Sequence, residues 1–561
     1  MWLIDATTIR LHFVEDPSTY EYAILSHTWE GGEVTFQDIA NLEEATKKPG
    51  FAKIQKTCNL ALERGITYAW VDTCCIDKTS SAELTEAINS MFQWYKLSAV
   101  CFAYLSDLPN CELRHNSSVL GACRWFTRGW TLQELIASKS IEFYDKQWNM
   151  KGTKLSLSTV LSRLTGVDEE IIRDSELVST ASVAKRMSWA ASRQTTRVED
   201  MSYCLFGIFD VHLPLIYGEG WKAFIRLQEA IILESSDLSI FAWKADFADQ
   251  AIRGVLAFSP SEFRQAGDIQ GLDDPLIIAP DFVITNKGVK IETFLRQRDG
   301  EYYMTLQCMD SKVRARDENQ KVLAIRLLKT AHGYVRHRPT DLTIVSQAQK
   351  STAKFLRTPS PEIKITSICI PKSISLAESR ILHDRLVHGF SLKINALASY
   401  HHPTVTAQPQ HLWDEGTYAF ITECNEKFAG AVKLIVHPGG GFQFTRESIT
   451  VFIFLGLASN IERTLQPWAG IYQDSPGLGL LYEDSNKKKV IVGPNFSTLP
   501  EMREALSPSA TNNMSLPQTL TPVLEGRGGV KLPHVQLALT LSTDYHSPYA
   551  RYQLIVSIRG E

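Results

Sequence analysis

The feature that most constrains this chain is an alternation of short apolar runs with helical patterns over residues 22–144. Tyr22-Ala23-Ile24-Leu25-Ser26 is a buried-strand pattern that ends in a polar, glycine-containing loop. Residues 51–63 follow with Ile54, Cys58, Ala61 and Leu62 at helical spacing, stopped by Arg64-Gly65. Residues 66–71 are β-branched and aromatic, a central strand ending at Asp72. Residues 82–97 carry Leu84, Ile88, Met91 and Tyr95 on one stripe, with Ser80 or Ser81 as the cap. Residues 100–105 and 140–144 read as two more strands. The economical architecture is an α/β fold, a parallel sheet with helices on both faces.

In such a sheet, ligands bind at the carboxyl ends of the strands. The residues expected there include Ser26, His27, Trp29, Asp72, Asp77, Ser106 and Asp107. A short helix expected over residues 130–137, opened by Gly129, brings Trp130 and Glu134 to the same region. These two are four apart and share a face, so an indole stands beside an acid. The structural reading of that pair is an ion pair from Glu134 to Arg124 or Arg128, with Trp130 in the core.

At 561 residues the chain exceeds one core. Three units are expected: 1–150, the α/β domain; 151–245, a helical extension; and 246–561, a β-rich region. In the extension, residues 155–164, 183–193 and 221–234 carry helical patterns. Arg186, Arg193 and Arg197 are candidates either to meet a phosphate or to pair with Glu199, Asp200 or Glu219. Beyond residue 246 short extended runs take over, with a hairpin expected around Asn286-Lys287-Gly288 and clean alternation at Val535, Leu537, Leu539 and Leu541. Residues 507–521 read as a long loop.

A formal net charge of −4 argues against binding driven by nucleic-acid phosphates. The ten cysteines form no CxxC pair, which fits buried thiols in a reducing compartment rather than a zinc site. Asp5 and Arg10 interrupt any leader-like apolar stretch, and residues 451–457 fall far short of the roughly 20 a membrane span needs. A cytoplasmic protein with no membrane span and no metal is therefore expected. His401, His402 and His411 sit among prolines in a loop-like stretch. No GxxxxGK[ST] occurs, and Gly439-Gly440-Gly441 reads as a turn.

Three blocks resemble the HET (heterokaryon incompatibility) domain of filamentous fungi. They are Tyr22-Ala23-Ile24-Leu25-Ser26-His27-Thr28-Trp29, Trp70-Val71-Asp72-Thr73-Cys74-Cys75-Ile76-Asp77-Lys78, and Arg128-Gly129-Trp130-Thr131-Leu132-Gln133-Glu134-Leu135. Arg186-Met187-Ser188-Trp189-Ala190, Thr196-Arg197-Val198-Glu199-Asp200 and Tyr217-Gly218-Glu219-Gly220 resemble the segment that follows such domains. The family implies a cytosolic protein that triggers growth arrest or cell death when self and non-self fungal cells fuse. The order of elements is also similar to TIR domains, whose NAD-cleaving members carry a helical Trp-x-x-x-Glu. Trp130 and Glu134 have that spacing, whereas His27-Thr28-Trp29 stands where many TIR domains carry arginine.

The resemblance therefore implies cleavage of the nicotinamide–ribose bond of NAD, or of a related nucleotide, with no cofactor. Glu134 would stabilise the sugar cation, Trp130 would face the cationic ring, and Ser26, His27, Trp29, Asp72 and Asp77 would contact substrate. The family reading brings with it self-assembly into a homo-oligomer and a protein trigger, with the β-rich region sensing that trigger or holding the front inactive. The alternatives are a non-enzymatic module acting by self-association and a thiol hydrolase using Cys74 or Cys75, with His27 as its base.

Overall fold

The computed structural model describes residues 1–110, 117–246, 250–272, 281–298, 301–313, 321–330, 333–346, 365–386, 389–396, 404–408, 410–416, 418–421, 429–436, 449–459, 465–473, 480–483, 489–492, 519–520, 535–543 and 552–560. The front domain is built on a seven-stranded sheet of order β2-β1-β4-β3-β5-β6-β7. Its strands are β1 (Trp2–Asp5), β2 (Arg10–Phe13), β3 (Tyr22–His27), β4 (Tyr68–Trp70), β5 (Val100–Tyr104), β6 (Ile141–Tyr144) and β7 (Met150–Thr153). The four expected strands are present as β3 to β6, and they pair in parallel.

The sheet as a whole is mixed rather than parallel. β1 and β2 form an antiparallel hairpin added to β4, and β7 pairs antiparallel with β6. The edge strands β2 and β7 are four residues long and partly or fully exposed, so they lack the apolar run that marks β3, all six of whose residues are buried. β1, between β2 and β4, buries Leu3 and Ile4 but is only four residues long.

Strand order fixes where a ligand can sit. β4 lies on one side of β3 and β5 on the other, so the chain reverses direction across the sheet at β3. Right-handed crossovers in opposite directions place helices on opposite faces and open a crevice at the carboxyl end of β3. Helix α1 (Phe51–Leu62) covers one face, and α2 (Ser81–Leu97) and α3 (Thr131–Ala137) the other. The Ser80 side chain accepts from the Glu83 N–H, a cap worth about 1 kcal/mol. Tyr22 and Tyr95 tie α2 to β3, donating to the carbonyls of Trp94 and Leu25.

The following segment is helical, with α4 (Val183–Ser188) and α5 (Lys222–Glu234) among its elements. α4 is shorter than the expected 183–193, because Trp189 and Ala190 leave the helix and turn inward into the core. Beyond Ile252 the described chain is dominated by antiparallel strands, the largest sheet containing eight. The hairpin expected around residue 286 joins Phe282–Thr285 to Gly288–Arg298. Gly288 has φ +142, and a Cβ there would come within 2.1 Å of the Ile370 carbonyl oxygen. Phe390–Ala396 pairs in parallel with Tyr552–Gly560, which in turn pairs with the alternating strand Val535–Thr543. Residues 439–441, His401, His402 and most of the loop expected at 507–521 lie outside the described residues.

The core runs without a break from the front sheet into the first β-rich sheet. At the seam the fully buried Arg336 donates to the carbonyls of Phe241 and Trp243. Arg253 stacks on Phe258 at 3.7 Å and pairs with Glu262 at 2.9 Å.

Candidate functional site: a carboxylate cleft at the strand ends

The site is built upward from β3. Ser26, its next-to-last residue, is fully buried, and its hydroxyl donates to Glu134 Oε2. The same hydroxyl accepts from Trp125 Nε1 at 2.7 Å. A fully buried indole thus orients a serine, which in turn orients the acid. The Tyr95 hydroxyl also lies within hydrogen-bond reach of Glu134. Glu134 itself is only 6% exposed. Burial is the main reason that its carboxyl is pushed up to about 8; the nearby Asp72 charge adds to this, and the Ser26 bond opposes it.

Helix α3 is held in place from its first turn. Thr131 Oγ1 donates to the Trp125 carbonyl at 2.5 Å and accepts from Arg193 Nη1 at 3.0 Å. Arg193 also donates to the Arg128 carbonyl at 2.8 Å. Gly129 donates to the Gln194 carbonyl at 2.8 Å, and a Cβ there would meet Thr195 Cγ2 at 2.5 Å. Glycine therefore lets the 194–195 segment press against the start of the helix that carries the acid.

Asp72, just beyond β4, is the second carboxylate. It meets His27 Nε2 at 3.0 Å and accepts from Trp29 Nε1 at 2.8 Å. Burial raises its pKa, but the His27 bond, the Lys78 charge and the Trp29 bond outweigh this, and the net shift is downward. Lys53 Nζ lies 3.3 Å from His27 Nδ1. An ammonium can only donate, so Nδ1 accepts and the ring proton sits on Nε2, directed at Asp72. Lys78 Nζ lies 3.9 Å over the Trp29 ring, with its pKa lowered by burial and partly restored by Asp72.

The opposite wall comes from the helical segment. The Tyr217 hydroxyl donates to Asp200 at 3.0 Å, and the Trp130 indole lies close enough to Asp200 to lower its pKa slightly. Arg197 stacks on Tyr217 at 4.3 Å. Together these groups enclose a cleft of about 320 Å³ whose lining includes His27, Trp29, Asp72, Lys78, Trp130, Glu134 and Arg197. That size suits a small polar ligand or part of a nucleotide.

Of the residues singled out from the sequence, His27, Trp29, Asp72, Trp130 and Glu134 line this cleft together. Ser26 lies beneath it, behind Glu134, and so is placed to position the acid rather than to touch a ligand. Asp77 stands outside, accepting from Thr79 and from Gln37 at 2.7 Å and capping its own turn. The expected ion pairs of Glu134 are not formed: Arg124 pairs with Glu30 and Asp107, and Arg128 donates to Thr196. Of the three arginines weighed as phosphate ligands only Arg197 reaches the cleft; Arg186 donates to the Ile208 carbonyl and stacks on Phe209.

Sequence reasoning did not single out Trp125, Tyr95, Lys78 or Tyr217 as site residues. Lys78 and Tyr217 stand inside the blocks quoted above, and Trp125 only five residues before Trp130. Cys74 and Cys75 are fully buried beside Val71, away from the cleft lining, and burial raises the Cys74 thiol well above its ordinary range. With the His27 nitrogens held by Asp72 and Lys53, a thiol nucleophile has neither access nor base. Among the described residues no cluster of three His, Cys, Asp or Glu side chains is placed to hold a metal. Among them, too, no helix is long and apolar enough to cross a membrane.

The arrangement offers a cation-seeking carboxylate beside an indole, with basic side chains at the opposite ends. Comparison with known proteins agrees on ancestry. The heterokaryon incompatibility protein (HET) family matches residues 22–121, which supply β3, β4, β5 and α2. The vegetative incompatibility protein HET-E-1 of Podospora anserina is 49% identical over 218 residues, covering 37% of this chain. The chain spans only 16% of that relative's length. No solved structure matches. The strand ends that build the cleft floor thus lie within the residues that match the heterokaryon incompatibility protein family.

Proposed function

We propose that this protein acts in fungal non-self recognition, in the cytoplasm, as a cell-death effector whose cleft cleaves NAD at the nicotinamide–ribose bond. The observation that carries this reading is Glu134: a nearly buried carboxyl that lines a cleft, with a hydroxyl bond but, among the described residues, no arginine or lysine bonded to it. Such a group is poised for a positive charge that arrives with a ligand. The nicotinamide ring of NAD carries that charge, and its entry favours the ionised carboxylate, so the substrate itself lowers the pKa that burial has raised.

As the glycosidic bond breaks, positive charge moves from the ring to the ribose. A carboxylate fixed by Ser26 stabilises the sugar cation more than the ground state, which is what accelerates the step. The bonding pair leaves with neutral nicotinamide, and water adds its oxygen to the ribosyl cation and gives up one proton to solvent. Trp130 offers a flat face to the ring, while Arg197 and Lys78 at the walls suit the diphosphate. Homologous front domains in one another's vicinity would complete or steady the cleft, which is why assembly is expected to raise the rate.

The test is nicotinamide release from NAD by the concentrated full chain, read by chromatography. Release is expected to fall at least about a hundredfold in Glu134→Ala and to persist in Cys75→Ala. Absence of release at high concentration and under enforced assembly would overturn the enzymatic reading, leaving self-association as the front domain's activity.

A further inference from the structure

A second cavity, of about 350 Å³, lies behind the wall of the first. The two share the segment 193–198. Thr196 and Arg197 line the Glu134 cleft, whereas Arg193, Gln194, Thr195 and Val198 line the second cavity. Its far side is made by Ser202, Trp221 and Phe224 of the helical segment and by Phe258, Ser259 and Pro260 of the β-rich region.

Two of its wall residues carry buried polar atoms left over by the fold. Arg193 is 5% exposed and spends Nη1 on Arg128 and Thr131, but its Nη2 has no hydrogen-bond partner among the described residues. Ser202 is 1% exposed, and its hydroxyl also has none. A guanidinium nitrogen buried without a partner is costly, and no carboxylate lines the cavity to relieve it. Both atoms lie just beneath the cavity wall, so an occupant meets them once the neighbouring wall side chains shift aside. The most exposed apolar residues of the wall are Val198 and Trp221, at 64% and 43%. The remaining surface is aromatic: Trp221 and Phe258 meet at 4.8 Å, and Phe258 is braced by Arg253.

We propose that this cavity is a second ligand site that takes a small aromatic anion. The ring packs against Trp221 and Phe258, and the anionic group reaches Arg193 and Ser202. A carboxylate or phosphate would satisfy the free guanidinium nitrogen, and a planar apolar body would fill the aromatic half. The site does not rest on the NAD reading. Its consequence for the first cleft follows from Arg193, whose other nitrogen holds the first turn of α3, the helix that carries Glu134. An occupant that draws on Arg193 therefore acts on the placement of Glu134 and Arg197 from behind.

The experiment is calorimetric titration of the full chain with phenyl phosphate, and separately with inorganic phosphate and with phenol. Saturable binding of phenyl phosphate is expected, with each fragment weaker by about tenfold or more. Trp221→Ala and Arg193→Gln are each expected to weaken phenyl phosphate by about tenfold or more, whereas Lys78→Ala, in the other cleft, leaves it unchanged. Ser202→Val, which removes only a hydroxyl, stands in for Arg193→Gln if that variant fails to melt cooperatively. The proposal is overturned by absence of saturable heat, or by binding that Lys78→Ala removes and Trp221→Ala spares.

Discussion

Glu134 and Glu262 are both almost completely buried, 6% and 8% exposed, yet the fold treats them in opposite ways. Glu262, at the seam with the β-rich region, is gripped by both terminal nitrogens of Arg253 at 2.9 and 3.2 Å and by the Phe258 N–H at 2.8 Å. Its charge is answered within the protein, and nothing is left to offer a ligand. Glu134 has Arg193 close enough to feel its charge, but that guanidinium is turned to the Arg128 carbonyl and to Thr131. Equal burial thus yields a structural acid where the counter-ion is bonded, and a carboxyl without a bonded counter-ion where it is held away. Burial alone does not mark a site; burial without a bonded cation, at the edge of a cleft, does.

Breaking each acid should separate the two roles. Glu262→Gln leaves Arg253 buried against a neutral partner and is expected to destabilise the protein by about 3–5 kcal/mol, read by denaturant unfolding. Nicotinamide release per folded molecule should be unchanged in that variant.

Glu134→Gln should behave in the reverse sense. The folded-state pKa lies at about 8 and the ordinary value at 4.5, so between these the folded protein binds the extra proton. Stability is then lost as pH rises through that window, by at most about 1.4 kcal/mol per pH unit. Glu134→Gln removes the loss, so its melting temperature should overtake that of the wild type increasingly from acid to alkaline pH. A constant gap between the two melting curves would mean that Glu134 titrates normally.

Ser26→Ala sharpens the comparison at the next level down. It strips Glu134 of its hydroxyl donor and leaves the buried Trp125 N–H unpaired, costing about 1–3 kcal/mol. The Ser26 bond lowers the Glu134 pKa, so the pH profile of nicotinamide release should move to higher pH. Asp72→Asn should move it the other way, because the Asp72 charge raises that pKa. This is the smallest effect, and it is read from the position of the profile rather than its height.

Much of this contrast was legible in the sequence, but unevenly. β3 to β6 stand out because each is a contiguous apolar run, and the switch of strand order at β3 then brings Ser26, His27, Asp72 and Glu134 together. β2 and β7 were missed because short, partly exposed edge strands carry no such run, and β1 because its apolar run, Trp2 to Ile4, is too short to stand out. The pairing of Glu134 was open because sequence spacing gives Arg124 and Arg128 equal claims, whereas Glu30, Asp107 and Thr196 take them in three dimensions. Trp125 and Tyr95 were unreadable as site residues for a related reason. Each is an ordinary core aromatic whose polar tip happens to meet Ser26 or approach Glu134.

The central claim is that Glu134 is a buried carboxyl with no bonded cation, protonated until a positive charge enters its cleft. The most direct measurement is infrared difference spectroscopy of the carboxyl band, wild type minus Glu134→Gln, titrated through neutral and alkaline pH with and without nicotinamide mononucleotide. The account expects a protonated band at neutral pH that is lost with a midpoint at about 8 and disappears earlier when the cationic nucleotide is present. An ionised Glu134 at neutral pH in the free protein, or a midpoint indifferent to the nucleotide, would contradict it.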